Sequence, residues 1–76
     1  MPDATPSVSE LVRRATERLA VADIDSARLD AELLMGFALG VDRVGVLANP
    51  EASVPDGASA AFEGYVARRE RGEPVA

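Results

Sequence analysis

The sequence predicts a small all-α bundle of four to five short helices around a central helix at residues 26–40. Apolar residues recur at three- and four-residue steps through most of the chain, the spacing of helix faces. The five prolines all fall outside the predicted helices. We find neither strand-like alternation nor an internal repeat. We therefore predict a flexible lead-in over residues 1–6 and one helical domain over residues 7–72.

The first predicted helix runs from Val8 to about Ala22. Ser7 and Glu10 have the spacing of a capping box, which marks its start. Its apolar face consists of Val8, Leu11, Val12, Ala15 and Leu19. Oppositely charged residues four apart on the other face predict contact with solvent. The connection at residues 22–25 is short, so the next helix should be a packing neighbour, with Ile24 turned inward.

The central helix is predicted between Ser26, as its N-cap, and Gly40, as the left-handed residue that ends it. Asp30 and Glu32 suit the positive end of the helix dipole, and we interpret them as solvated surface charges. The predicted core face consists of Leu29, Leu33, Leu34, Phe37 and Ala38, widened by Met35 and Leu39. A helix this apolar needs the other segments packed around it.

A short third helix is predicted from Arg43 to about Ala48, with Asp42 as its cap and Pro50 as its limit. Its apolar side would consist of Val44, Val46 and Leu47. Residues 49–57 should form a loop, because they hold two prolines and a glycine.

The fourth helix is predicted from Pro55 or Asp56 to Arg71, with Gly72 as its stop and Pro74 beyond. Its shared face consists of Ala58, Phe62, Tyr65, Val66 and Arg69. Phe62 and Tyr65 could form a binding patch, but at helical spacing core packing is the ordinary role.

Composition excludes several kinds of chemistry. The chain has no His and no Cys, so thiolate nucleophiles, Ser-His triads and Cys/His zinc sites are absent from it. Its net charge of −5 disfavours direct binding to nucleic acid. The longest apolar run, at residues 33–39, cannot span a membrane, and the start does not resemble a secretory signal. We expect a cytoplasmic monomer with no catalytic, cofactor-binding or metal-binding residues.

Three features invite a functional interpretation. Asp25-Ser26 resembles the Asp-Ser-Leu motif that carries phosphopantetheine in acyl carrier proteins, although Ala27 replaces the leucine and the preceding connection is shorter than that family's first loop. Arg68 and Arg69 could recognise an acidic partner, although a basic last turn also complements the helix dipole. Gly72-Glu73-Pro74 could mark a ligand loop or only a helix stop.

Two stretches of the sequence resemble, in the same order along the chain, two segments of the release factor glutamine methyltransferases, the HemK/PrmC family. Residues 25–34, Asp-Ser-Ala-Arg-Leu-Asp-Ala-Glu-Leu-Leu, are similar to that family's Asp-Ala-Glu-Leu-Leu helix. Residues 68–76, Arg-Arg-Glu-Arg-Gly-Glu-Pro-Val-Ala, are similar to its segment of two arginines, Gly-Glu-Pro and an aliphatic residue. Asp42-Arg43, Leu47 and Pro50 between them match in order and spacing.

The resemblance implies an N-terminal, substrate-recognition domain. Such enzymes transfer a methyl group from S-adenosylmethionine to the glutamine of the Gly-Gly-Gln motif in peptide chain release factors. Their cofactor and catalytic residues lie in a second, Rossmann-like domain, so none is carried over to this chain. Residues 73–76 would begin the linker to that domain. The implied partners are release factors and the parent's own catalytic domain, with Arg68, Arg69 and Glu73 as candidate contacts.

Two other hypotheses stay open from the sequence. One is a carrier protein modified on Ser26, which the acidic charge and the Asp25-Ser26 pair favour. The other is a stand-alone helical interaction domain. A phosphopantetheinyl transferase would add an arm to Ser26 only in the first case.

Overall fold

The computed structural model describes residues 5–75 and places four helices in that range. They are α1 (Val8–Val21), α2 (Ala27–Leu39), α3 (Arg43–Ala48) and α4 (Asp56–Glu70). Helix α2 contacts each of the other three. The all-α class and the central position of α2 are therefore confirmed. Most of the predicted lead-in at residues 1–6, and the last residue of the predicted linker at 73–76, lie outside the described residues.

The helix ends largely follow the predicted signals. Ser7 accepts a hydrogen bond from the Glu10 N–H at 3.2 Å, and Asp42 accepts one from the Gly45 N–H at 2.9 Å. Gly40 ends α2 with a φ of 74°, and Gly72 follows α4 with a φ of 94°.

The predicted capping bond of Ser26 is wrong. Ser7 and Asp42 have extended backbones, with ψ of 164° and 177°, whereas ψ of Ser26 is 30°. The Ser26 side chain makes no cap bond to a backbone N–H. Its hydroxyl instead donates to Asp30 Oδ2 at 3.0 Å.

The core is formed by the side of α2 that faces α1 and α4. The buried apolar residues are Val8, Val12, Ala15, Leu19, Ala27, Ala31, Leu34, Met35, Val46, Val54, Phe62 and Val66. Ile24 packs against this cluster as predicted. Because this core is small, each buried side chain carries a large share of the stability.

The predicted core face of α2 is partly wrong. Leu29 is 44% exposed and Phe37 is 56% exposed, while Leu33 is half-buried. These three residues recur every four positions, so they form one stripe on the side of α2 that the other helices leave open. Apolar residues surround α2, so periodicity could not identify its buried side. The exposed Val44 and Leu47 of α3 were likewise misassigned to an apolar packing side.

The loop between α3 and α4 is packed against the start of α1. The Val8 and Ser9 N–H groups donate to the carbonyls of Ala52 and Pro50, each at 2.9 Å. Val54 is fully buried, and its N–H donates to the Pro6 carbonyl at 3.1 Å. The loop therefore satisfies backbone donors at the α1 N-terminus and adds a side chain to the core.

Candidate partner-binding groove

A groove of about 270 Å³ lies where α2, the last turns of α4 and the segment after α4 meet. It is lined by Leu34, Phe37, Tyr65, Arg68, Arg69, Glu73, Pro74 and Val75. Its lining combines apolar side chains with charged ones, and the exposed Arg68 and Glu73 place charge at its rim. Such a combination suits a protein segment that brings both an apolar side chain and a polar group.

All three predicted contact residues line this groove. Arg68 Nε donates to Glu73 Oε1 at 3.1 Å, and both side chains are exposed. Arg69 points inward: its Nε donates to Asp30 Oδ2 at 2.9 Å, and its Nη1 donates to the Glu73 carbonyl at 3.3 Å. Arg68 and Glu73 therefore present charge at the rim, whereas Arg69 builds the wall. Their role in binding a partner stays a prediction.

The segment after α4 is held to the bundle at several points. The Gly72 N–H donates to the Arg69 carbonyl at 2.9 Å, and the Glu73 N–H donates to the Arg68 carbonyl at 3.2 Å. Val75 packs against the core cluster. The left-handed turn at Gly72 thus directs the chain back over the groove instead of away from it.

Asp30 and Glu32 are not solvated surface charges, which corrects the sequence interpretation. Both are buried. Asp30 accepts from Ser26 and Arg69, and Glu32 accepts from Arg28 Nε and Arg43 Nε, each at 2.8 Å. These carboxylates tie α2 to α4 and α3, so they are structural. Acid–base catalysis needs a carboxylate that is free to exchange a proton with a substrate.

The environment of Glu32 shifts its pKa. Burial alone raises the pKa of a carboxyl group, but the hydrogen bonds and charges of Arg28 and Arg43 outweigh burial. The net result is a pKa below the ordinary value of 4.5. Glu32 is therefore ionised at neutral pH.

Arg18 links α1 to α4 on another side of the bundle. Arg18 Nη1 contacts Glu63 at 2.7 Å, and Arg18 Nη2 contacts Glu70 at 2.7 Å. Hydrogen bonding from Arg18 lowers the pKa of Glu70 below its usual range. These partners lie 45 and 52 residues apart in the chain, so local sequence patterns gave no sign of them. By contrast, the oppositely charged residues four apart on the predicted solvent face of α1, Glu10–Arg14 and Arg13–Glu17, pair within that one helix.

Phe37 and Tyr65 are groove residues that the sequence assigned to the core. Phe37 is largely exposed and Tyr65 is half-buried, whereas Phe62 one turn earlier is buried. Of the two possible patch residues on α4, only Tyr65 therefore reaches the groove. The third functional feature, Gly72-Glu73-Pro74, forms part of the groove wall.

Within residues 5–75, no group of three or more His, Cys, Asp or Glu side chains is arranged to hold a metal ion. None of the helices described there is long and apolar enough to cross a membrane.

Comparison with known proteins gives one consistent family. The family model described as the PrmC N-terminal domain matches residues 10–76. No solved structure matches the chain significantly.

Several curated relatives share the name release factor glutamine methyltransferase. The protein of Nitratidesulfovibrio vulgaris is 38% identical over 66 residues, 87% of this chain and 22% of the relative. That of Pseudomonas aeruginosa is 48% identical over 54 residues, 71% of this chain and 20% of the relative. That of Bradyrhizobium diazoefficiens is 33% identical over 75 residues, 99% of this chain and 25% of the relative. The chain thus spans a quarter or less of these relatives.

Proposed function

The chain belongs to the PrmC N-terminal domain family, and from this premise we propose that it helps a release factor glutamine methyltransferase hold its release factor. The observation that carries the proposal is the family match over residues 10–76. The name shared by the curated relatives supports it. The same match gives no support to the carrier hypothesis based on Ser26.

In this proposal the reaction takes place outside the bundle. The parent enzyme transfers a methyl group from S-adenosylmethionine to the glutamine of the release factor's Gly-Gly-Gln motif, in the cytoplasm. The bundle's contribution is to bind and position the protein substrate, as a monomer and without nucleic acid.

We assign the release factor contact to the rim of the groove. The Arg68–Glu73 pair is exposed, so its net stabilisation of the domain is small, about 1 kcal/mol or less. A partner carboxylate can therefore replace Glu73 at little cost. Arg69 forms an ion pair with the buried Asp30, so breaking that pair to contact a partner would cost more free energy.

Arg68→Glu in the full-length enzyme tests this assignment. Reversing the charge should raise KM for the release factor about fivefold, as expected for a lost contact of about 1 kcal/mol, with kcat nearly unchanged. Arg13→Glu is the matched control, since both arginine side chains are 59% exposed and paired with one nearby glutamate. Equal KM values in the two variants would show that the groove is not part of the release factor binding site.

The wider proposal has its own test. Full-length enzyme should methylate its release factor, and deletion of residues 1–76 should raise KM or abolish the reaction. If the truncated enzyme methylates the release factor as efficiently as the intact one, the bundle has no role in recognition.

A further inference from the structure

We propose that the open stripe of α2, formed by Leu29, Leu33 and Phe37, is the docking surface for the catalytic domain of the same polypeptide. This inference rests on the proposed function, because it requires that a catalytic domain follows the bundle. It goes further by assigning a face of the bundle to that domain.

The first argument is the chemistry of the stripe. A helix that is apolar on all sides is normally covered on all sides. Over residues 33–39, apolar residues lie all around the axis of α2, yet Phe37 is 56% exposed, and Leu29 one turn before this stretch is 44% exposed. The two carboxylates of α2, Asp30 and Glu32, are buried and paired with arginines, so neither leaves an unpaired negative charge beside the stripe. Permanent interfaces are more apolar than transient ones, so the stripe suits a partner that stays attached.

The second argument is the path of the chain. Phe37 forms one wall of the groove, and Pro74 and Val75 form another part of it. Hydrogen bonds to Arg68 and Arg69 fix Glu73, so the segment is held beside the stripe. Polypeptide that continues from residue 75 therefore starts next to Phe37. A short tether raises the effective concentration to the millimolar range, so even a modest apolar surface is enough for docking.

The third argument is the size of the relatives. The matched region covers only 20–25% of the three relatives compared above. In that family the bundle is the N-terminal domain, so most of each relative follows it. The release factor contact proposed at Arg68 would then lie at the boundary between the two domains.

Thiol labelling of full-length enzyme tests the assignment. Residues 1–76 contain no Cys, so L29C and F37C can be made as single cysteines after replacement of any cysteines elsewhere. V21C is the control, because Val21 is an exposed apolar residue outside the stripe. Without release factor, labelling at positions 29 and 37 should be at least about tenfold slower than at 21, at every protein concentration.

Three outcomes would overturn the inference. Similar labelling rates at all three positions would show that the stripe is uncovered. Protection that appears only after addition of release factor would assign the stripe to the substrate. Protection that grows with protein concentration would assign it to a second copy of the enzyme.

A methylation assay on the same variants separates this inference from the proposed function. If the unsubstituted enzyme does not methylate the release factor at all, the proposed function is wrong. The labelling result is independent of this, because it reports only whether the stripe is covered by another domain. Since both stripe positions are exposed in the bundle, cysteine there should leave its folding intact, and a urea transition equal to that of V21C checks this.

Discussion

Asp30 is the residue whose environment differs most from its sequence context. It stands two positions from Glu32 near a helix start, a typical place for a solvated acid. The structure buries it against Arg69, which follows 39 residues later and was predicted to share a face of α4 and to be a candidate partner contact. No local pattern could indicate this pair, because each residue type is ordinary where it stands. The pair joins α2 to α4 and, through the Glu73 carbonyl, to the segment beyond.

Arg69→Ala should destabilise the domain by about 3 kcal/mol, because it leaves the buried Asp30 carboxylate with only the Ser26 hydroxyl. Arg68→Ala is the neighbouring control and should cost about 1 kcal/mol or less, since its ion pair is exposed. Urea unfolding of both variants measures the difference. Equal midpoints would mean that Asp30 is stabilised without Arg69.

Glu32 should make the free energy of unfolding depend on pH under acidic conditions. Its pKa is lowered in the folded state, so the folded form binds this proton less readily than the unfolded form. The stabilisation is therefore complete above the unfolded pKa and is lost as the pH falls through the folded pKa. Glu32→Gln should lower stability near neutral pH and flatten its decline below about pH 4.5. Unfolding free energies measured across this range check both effects.

The control for this pH experiment is Glu17→Gln, because Glu17 is exposed and pairs only along α1. Its pH profile should match that of the unsubstituted domain. If Glu32→Gln keeps the full acid dependence, other carboxylates are responsible, with Glu70 as the next candidate because its pKa is also lowered.

At the scale of elements, local signals predicted where helices begin and end, but not how they turn toward one another. Ser7, Asp42, Gly40 and Gly72 act within one turn of their own positions, so the sequence is enough to recognise them. The rotation of α2 depends on which neighbours cover it, and its apolar residues surround the axis. Hence the existence of α2 was predicted correctly, whereas Leu29 and Phe37 were placed on the wrong side. Of the groove residues, the sequence indicated Arg68, Arg69 and Glu73 as candidate contacts and Tyr65 and Pro74 as possible parts of a site, but not that they lie together.

Gly36 in α2 and Gly64 in α4 also show that the sequence does not reveal what surrounds a residue in the fold. Sequence alone treats Gly36 and Gly64 as equally poor helix residues. In the structure, a Cβ on Gly36 would lie 2.7 Å from the Val41 carbonyl oxygen, whereas one on Gly64 would meet nothing within 4 Å. Gly36 therefore permits the close turn after α2, and Gly64 has no such role.

Gly36→Ala and Gly64→Ala should consequently have opposite effects. The first should destabilise the domain by about 1–3 kcal/mol, because backbone atoms must move to admit the methyl group. The second should stabilise it by about 0.5–1 kcal/mol through better helix propensity. Chemical denaturation of the two variants side by side measures the signs. Stabilisation by both changes would show that the turn at Val41 adapts freely.

At the scale of the whole molecule, a 76-residue chain can bury only a small hydrophobic core. Part of that core comes from outside the helices, since Val54 in the loop is fully buried. Loops with several breakers are normally read as surface connections, so the sequence did not place Val54 inside. The loop's carbonyls also accept hydrogen bonds from the first N–H groups of α1, so we expect the loop to unfold together with the helices.

Val54→Ala should therefore lower the stability of the entire domain, not merely loosen the loop. Removing two buried methyl groups should cost roughly 2 kcal/mol, which corresponds to a fall in Tm of about 8–16 °C for a domain of this size. Val44→Ala is the control, because Val44 is 72% exposed, and its Tm should stay almost unchanged. Thermal unfolding followed by circular dichroism should show one transition in both variants. A second, earlier transition confined to Val54→Ala would mean instead that the loop melts independently and that α1 does not need it as a cap.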